Sequence, residues 1–142
     1  MFMGEYQHNL DKKNRIIVPA KFREQLGDIM IVTRWLDGCL AIYTQDQWKS
    51  VYEKISQLPS TKREARRFVH MIMAKAAECE VDAQGRICIP APLVKEASLE
   101  KACVVVGVSD HVEIWDQTRW DEYYANASED FEEIAETLTD FF

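Results

Sequence analysis

The stretch Leu10–Ala20, LDKKNRIIVPA, returns 71 positions later as Val81–Ala91, VDAQGRICIPA. Both copies place an Asp before a three-residue turn, then an Arg, then an apolar run that ends in Pro-Ala. An Asp carboxylate can accept hydrogen bonds from the backbone N–H groups that follow it, which closes such a turn. The apolar run predicts a short strand, and the Pro suits the first turn of a helix. The sequence therefore uses one structural unit twice.

The repeat extends beyond this motif once a single residue is inserted in the second half. At a shift of 72, Ile42 matches Ile114 and Trp48 matches Trp120. Each unit is predicted to run strand, turn, strand, short helix, hairpin and helix. Neither unit is large enough to bury its own apolar surface. We therefore expect the two units to pair about a pseudo-twofold axis in one α+β body.

The turn of each motif contains a residue suited to a left-handed backbone, Asn14 in the first and Gly85 in the second. Together with Asp11 and Asp82, they are the predicted turn-forming residues.

Two further helices are predicted outside the repeat. The segment between the units has a wide apolar face and a basic cluster, formed by Lys62, Arg63, Arg66 and Arg67. The last segment, SEDFEEIAETLTDFF, has the pattern of an acidic amphipathic helix, which Ser128 would cap. Its apolar stripe comprises Phe131, Ile134, Ala135 and Leu138.

Composition narrows the class of protein. The chain has 142 residues, no apolar run near the ~20 residues of a membrane span, and no secretory signal pattern at its start. We therefore expect a cytoplasmic protein with no membrane partner. The four cysteines form no C-x-x-C pair. We expect reduced, buried thiols, with no metal and no cofactor.

Enzyme motifs are missing: the sequence has no G-x-S-x-G, no P-loop and no G-x-G-x-x-G. Asp11 and Asp82 could serve as a catalytic pair only in a shared pocket that shifts their pKa values. Turn closure is the better interpretation of both carboxylates, so we expect that the protein is not an enzyme.

Charge is distributed unevenly around a net value of −7. From Asp110 onward there are eleven acidic residues and one basic residue, whereas the first 34 residues hold six basic and four acidic. Local patches decide what approaches a surface. A basic patch around the first loop is thus compatible with a nucleic-acid partner.

The repeated arginines, Arg15 and Arg86, allow two interpretations. Each could pair with the Asp of its own turn, or project from a rigid loop and grip phosphate or a guanine edge with its planar fork. Two symmetry-related base-contacting loops suit DNA, in which half-sites recur at the spacing of the helical turn. The candidate DNA-binding residues are Arg15, Arg86, Lys12, Lys13, Lys21 and Arg23.

These same residues carry a family resemblance. LDKKNRIIVPAKFREQLG and VDAQGRICIPAPLVKEA resemble the two SpoVT-AbrB domains of the MraZ family, and MFMGEYQHNLD and AECEVDAQGRI extend the likeness over essentially the whole chain. The family's Asp-x-x-Gly-Arg loop maps onto Asp11–Arg15 and Asp82–Arg86. Asn14 replaces the usual Gly in the first loop.

The resemblance implies a duplicated AbrB-like swapped-hairpin β-barrel with flanking helices. The corresponding division is domain 1 at 5–47, connecting helices at 48–75, domain 2 at 76–119 and an acidic helical segment at 120–142. It also implies a regulator, generally a repressor, of the division and cell wall gene cluster. Such regulators bind direct repeats upstream of their own gene as closed homo-oligomeric rings, which places the protein at the nucleoid.

One alternative stays open. AbrB-like folds also occur in antitoxins, whose acidic and apolar tails embrace a toxin. The acidic C-terminal segment would suit such a protein-interaction module.

Overall fold

The computed structural model describes residues 1–142 and contains the repeated unit twice. The first unit comprises β1 (Phe2–Asn9), β2 (Arg15–Ile17), α1 (Ala20–Leu26), β3 (Ile29–Arg34), a 3-10 turn (Leu36–Gly38), β4 (Leu40–Tyr43) and α2 (Gln45–Ser56). The second comprises β5 (Ala77–Glu80), β6 (Arg86–Cys88), α4 (Ala91–Glu96), β7 (Ala102–Ser109), β8 (His111–Asp116) and α5 (Gln117–Glu129). Between them lies α3 (Arg63–Met73), and α6 (Phe131–Thr137) and a 3-10 turn (Thr139–Phe141) end the chain. The prediction of a mixed α+β body is confirmed.

The strands of the two units interleave. Six of them form an antiparallel sheet in the order β1-β7-β8-β4-β3-β5, and β2 pairs with β6 in a separate ribbon. The first strand of each unit lies against the hairpin of the other unit: Phe2 faces Ser109, and Ile29 faces Glu80. Exchange of the two units gives the same strand order, counted from the opposite edge of the sheet. Each unit therefore depends on the other to complete its sheet.

One large apolar cluster lies between the sheet, the ribbon and the short helices, and both units contribute to it. The ring of Phe22 on α1 is fully buried and meets the rings of Phe2 and Tyr6 edge-on at centroid distances of 5.8 and 5.4 Å. Such aromatic pairs add about 0.5–1.5 kcal/mol each to the stability that burial provides. This packing fixes α1 directly after the first Asp-turn-Arg loop.

The N-terminal cap of α2 is formed by a residue that precedes the helix, whereas the cap predicted for the last helix is not formed. Thr44 Oγ1 accepts a hydrogen bond from the Gln47 backbone N–H at 3.0 Å, so α2 begins with a side-chain cap. The prediction that Ser128 caps the last helix is wrong, because α5 runs through Ser128 and α6 begins after Asp130 without a side-chain cap.

Two of the predicted domain boundaries, at 47/48 and 119/120, fall inside α2 and α5. No helix has both the length and the apolar character needed to cross a membrane.

Candidate nucleic-acid interface

The first Asp-turn-Arg loop is closed by its own carboxylate. Asp11 Oδ1 accepts hydrogen bonds from the backbone N–H groups of Lys13 (2.9 Å) and Arg15 (2.8 Å), and Asp11 Oδ2 accepts one from Arg15 Nε (2.7 Å). The backbone of Asn14 is left-handed, with φ of 60°. The hydrogen bond from the Arg15 backbone N–H is the main reason why the pKa of Asp11 lies below its ordinary value. The carboxylate is therefore held ionised.

The second loop repeats this arrangement almost atom for atom. Asp82 Oδ1 accepts from the backbone N–H groups of Gln84 and Arg86, each at 2.9 Å, and Asp82 Oδ2 accepts from Arg86 Nε at 2.8 Å. The Arg86 backbone N–H is likewise the main cause of a lowered Asp82 pKa. The pseudo-twofold axis thus relates two loops of the same geometry.

The ribbon of β2 and β6 fixes the two loops relative to one another. Arg15 faces Cys88, Ile16 faces Ile87, and Ile17 faces Arg86. Since strand side chains alternate between faces, Ile16 and Ile87 point into the core, where both are buried. The opposite face of the ribbon carries Arg15, Ile17, Arg86 and Cys88. Diagonal neighbours on such a ribbon lie about 7–8 Å apart, and the two arginines are diagonal neighbours.

Each arginine binds the Asp of its turn through Nε and leaves its two Nη groups without a partner in the protein. The hydrogen bonds of the Arg15 and Arg86 side chains within the protein use only Nε. Their side chains keep 32% and 25% exposure, respectively. Pairing with the turn and projection outward, the two interpretations from the sequence, are therefore compatible in one conformation. A guanidinium fixed through Nε has its Nη groups preorganised for a planar acceptor.

The remaining predicted DNA-binding residues fall into two groups. Lys12 and Lys13 lie exposed in the first turn, and Lys21 lies exposed on α1. Arg23 is only partly exposed, because its Nη1 donates to the carbonyl oxygens of Val18 (2.9 Å) and Gly85 (3.4 Å). Arg23 thus ties the first unit to the second loop.

Sequence reasoning missed the contact between Arg23 and Gly85. A Cβ at position 85 would collide with the Arg23 guanidinium. The repeat did contain a signal, because the matching positions in the other half are Val94 and Asn14. The long side chain of Arg23 occurs with Gly85, and the shorter side chain of Val94 occurs with Asn14. The two positions therefore differ together between the two halves of the chain.

The cysteine prediction is right for three residues and wrong for the fourth. All four thiols are free, and Cys39, Cys79 and Cys103 are buried. Cys88 is exposed, because it alternates with the buried Ile87 and shares the outer face of the ribbon with Arg15.

A second polar cluster surrounds His111 at the β7–β8 turn. His111 Nδ1 lies 2.7 Å from Asp110 Oδ1, and Nε2 lies 2.8 Å from Glu113 Oε2. The imidazole stacks on the ring of Tyr43 at 5.0 Å. Burial alone would lower the pKa of His111, but the hydrogen bonds to Glu113 and Asp110 outweigh it, and the net pKa is raised. His111 is buried, Asp110 stays exposed, and the cluster lies outside the ribbon.

Comparison with known proteins agrees with the duplicated architecture. The family model described as "MraZ protein", with the addition "antitoxin-like", matches residues 1–71 and again 72–142. A "Transcriptional regulator MraZ" from Ligilactobacillus salivarius is 55% identical over 141 residues, which cover 99% of each chain. Proteins of the same name from Pediococcus pentosaceus and Natranaerobius thermophilus are each 52% identical over 141 residues, again 99% of each chain.

Proposed function

The chain belongs to the MraZ family, and we propose that it is a sequence-specific DNA-binding regulator that reads promoter DNA with its two Asp-turn-Arg loops. The relatives named above are transcriptional regulators, a class of protein that is generally not enzymatic. The observation that carries the DNA contact is the ribbon, which places two identically braced arginines on one exposed face.

The dimensions of the ribbon support this assignment. The major groove of B-DNA, about 12 Å wide, admits a two-stranded β-ribbon. The ribbon positions of Arg15 and Arg86 are diagonal neighbours, about 7–8 Å apart along the backbone. This spacing is close to that of two base pairs, because the rise is about 3.4 Å per base pair. In this proposal, Arg15 and Arg86 read guanine edges bidentately, while Lys12, Lys13 and Lys21 contact phosphates. Arg23 acts on the DNA indirectly, because it positions the second loop.

The finer fold and assembly belong to the same proposal. We assign the interleaved strands to a duplicated AbrB-like swapped-hairpin β-barrel, with domain limits at 5–47 and 76–119. The targets are direct repeats upstream of the protein's own gene, in the division and cell wall cluster, and bound protein represses transcription. A closed homo-oligomeric ring at the nucleoid of the cytoplasm presents many loops at once. Such multivalency raises avidity. The net charge of −7 does not oppose the contact, because repetition of the first unit forms a local basic belt.

Fluorescence anisotropy tests the DNA contact. One duplex carries the tandem repeats from upstream of the gene, and the other carries a scramble of them, each at several salt concentrations. We expect tight binding to the repeats, with a steep fall as salt rises. Arg15→Ala and Arg86→Ala should each weaken repeat binding by about 1–3 kcal/mol of discrimination. Lys49→Ala, which removes an exposed charge from α2, is the matched control.

The binding of the arginine variants decides whether the loops contact DNA. Repeat binding by both arginine variants at the parent's affinity would show that the loops do not read DNA. For regulation, a reporter driven by the same repeats should become more active when the protein is removed.

A second candidate function is a protein-interaction module of antitoxin type. The observation that favours it is the C-terminal segment, where α6 has no buried residue. Truncation after Ala127 separates the two uses of this segment. Loss of self-assembly indicates an oligomer contact, whereas loss of only a bound foreign protein favours the antitoxin-type module.

A further inference from the structure

The two flanking helices α2 and α3 enclose an apolar groove. Its apolar lining includes Tyr52, Ile55, Leu58, Val69 and Met73. Its volume is about 240 Å³, which is below the roughly 300–1,000 Å³ of small-molecule sites. The groove therefore suits one or two inserted side chains better than a cofactor or metabolite.

The C-terminal segment has apolar side chains that its own chain covers only in part. Phe131, Ile134 and Leu138 keep 67%, 44% and 41% exposure. Phe131 and Ile134 lie about one turn apart on α6, and Leu138 follows directly after the end of this helix. The main contacts of α6 are with α5 and the terminal 3-10 turn, and they leave the α2–α3 groove open.

The two surfaces have opposite charge. Residues 60–75, which include α3, hold five basic residues and one acidic residue. Residues 128–142 hold six acidic residues and no basic one. Arg66 and His70 line the groove itself, while Glu132, Glu133 and Glu136 lie beside the apolar stripe of α6. Apolar contact and charge complementarity therefore favour the same pairing.

We propose that α6 of one copy of this chain docks in the α2–α3 groove of the next copy. Ile134 and Leu138 enter the groove, and the carboxylates beside them pair with Arg66 and its basic neighbours. Contact between two different surfaces is heterologous, so it propagates from copy to copy and closes as a ring when the rotation permits. Each contact is small, but closure makes the contacts mutually reinforcing. This inference rests on the assembly in the proposed function and is independent of its DNA contacts.

Charge reversal tests the docking in the full-length chain. The groove variant carries Arg63→Glu, Arg66→Glu and Arg67→Glu, and the tail variant carries Glu132→Lys, Glu133→Lys and Glu136→Lys. All six positions are exposed, so folding should survive, and circular dichroism checks it. The matched control reverses three exposed charges elsewhere, with Glu24→Lys, Glu78→Lys and Glu80→Lys.

Molar mass from light scattering after size exclusion is the measurement. We expect the parent and the control to form assemblies, and the groove and tail variants each to fall to the 16.5 kDa of one chain. A chain with both sets of reversals should assemble again, because its basic tail meets an acidic groove. An equimolar mixture of the two variants should also assemble, since each supplies the partner that the other lost.

Three results would overturn the docking: a monomeric parent, a groove or tail variant that assembles like the parent, or a folded double-set chain that stays monomeric. The DNA proposal fails by a different result. In that case the parent assembles normally, yet binds repeat and scrambled duplexes equally.

Discussion

The guanidinium of Arg23 lies across Gly85, 62 residues later in the chain, and occupies the space that a side chain there would need. Gly85 has φ of 78°, in the left-handed region, and its carbonyl also accepts a hydrogen bond from the Val18 backbone N–H at 2.9 Å. Its counterpart, the Asn14 carbonyl, accepts from the Ile89 backbone N–H at 2.8 Å. The loops therefore brace one another across the pseudo-twofold axis, but only one of the two crossings carries an arginine.

This crossing predicts an energetic coupling between the two positions. Gly85→Ala should lower the free energy of unfolding by at least about 1–2 kcal/mol, because left-handed backbone is costly with a Cβ and Arg23 must also move. In an Arg23→Val background the loss should be smaller, with a coupling of about 0.5–3 kcal/mol. Urea unfolding of the four proteins measures it. Asn14→Gly is the matched control, where we expect little change. Additive losses at positions 23 and 85 would contradict the coupling.

The carboxylates of the loops should govern specificity without touching DNA. Asp11→Asn and Asp82→Asn replace the Oδ2 acceptor of the arginine Nε with an NH₂ group, so each arginine loses its fixed orientation. Both changes also make the chain less negative, which favours phosphate contacts. We therefore expect a fall of about tenfold or more in the preference for repeat over scrambled duplex, since a good bidentate contact is worth about 1–3 kcal/mol.

Binding to the scrambled duplex should be unchanged or stronger in the Asp11 and Asp82 variants, as anisotropy can show. Asp46→Asn on α2, an exposed position, is the control for the added charge. An unaltered preference in both loop variants would mean that the Asp–Arg pairs serve only the turn.

His111 should stabilise the fold in a pH-dependent way. Its pKa is raised in the folded chain above the ordinary value of 6.5. A raised pKa stabilises the fold in full below the unfolded-state value, and this contribution disappears as pH rises through the folded-state pKa. Urea unfolding of His111→Gln should therefore show a larger loss relative to the parent at pH 5.5 than at pH 9.

His8 provides a control of opposite sign. Burial lowers its pKa, so its protonation opposes folding as pH falls below the unfolded-state value. Relative to the parent, His8→Gln should gain stability at pH 5.5. Equal losses for His111→Gln at both pH values would show that its carboxylate contacts do not favour the charged imidazole.

Cys88 should report occupation of the ribbon face. Burial raises the pKa values of Cys79 and Cys103 to about 11 and also raises that of Cys39. Only the thiolate reacts readily with a disulfide reagent such as DTNB. One thiol of the native chain should therefore react fast, and all four should react in denaturant. Operator DNA should slow the fast reaction, because Cys88 shares its face with Arg15.

Scrambled duplex at equal concentration is the control for the labelling experiment, and Cys88→Ser should abolish the fast phase. A fast reaction of Cys88 at the same rate with bound operator would place the DNA on another face.

Features fixed within a few residues could be predicted from the sequence. The turns, the short helices after Pro19 and Pro90 and the cap at Thr44 depend on neighbours in the chain, and the repeat doubled each signal. Features fixed by distant partners could not be predicted. The sequence indicated a twofold pairing of units but not which strands exchange, since register depends on packing across the whole body.

Individual side chains show the same limit. Arg23 belongs to a basic cluster in sequence, yet its partner is a carbonyl 62 residues away. Cys88 lies in an apolar run that reads as buried, but strand alternation turns it outward. Ser128 has the character of a helix cap, but the helix that begins after Asp116 continues through it. In each case a non-local contact or a neighbouring element overrode the local preference.

The exchange of first strands has a consequence for synthesis of the chain. The first strand leaves the ribosome early, but its partner spans Ala102–Ser109. At about 5–20 residues per second, β1 waits roughly 5–20 s for that partner to be made. During this interval the buried side of the strand, including Phe2, has no native cover. Nascent chains should therefore gain protease resistance late and in one step, near completion of the second unit, and two nascent chains on one message could exchange the same strand.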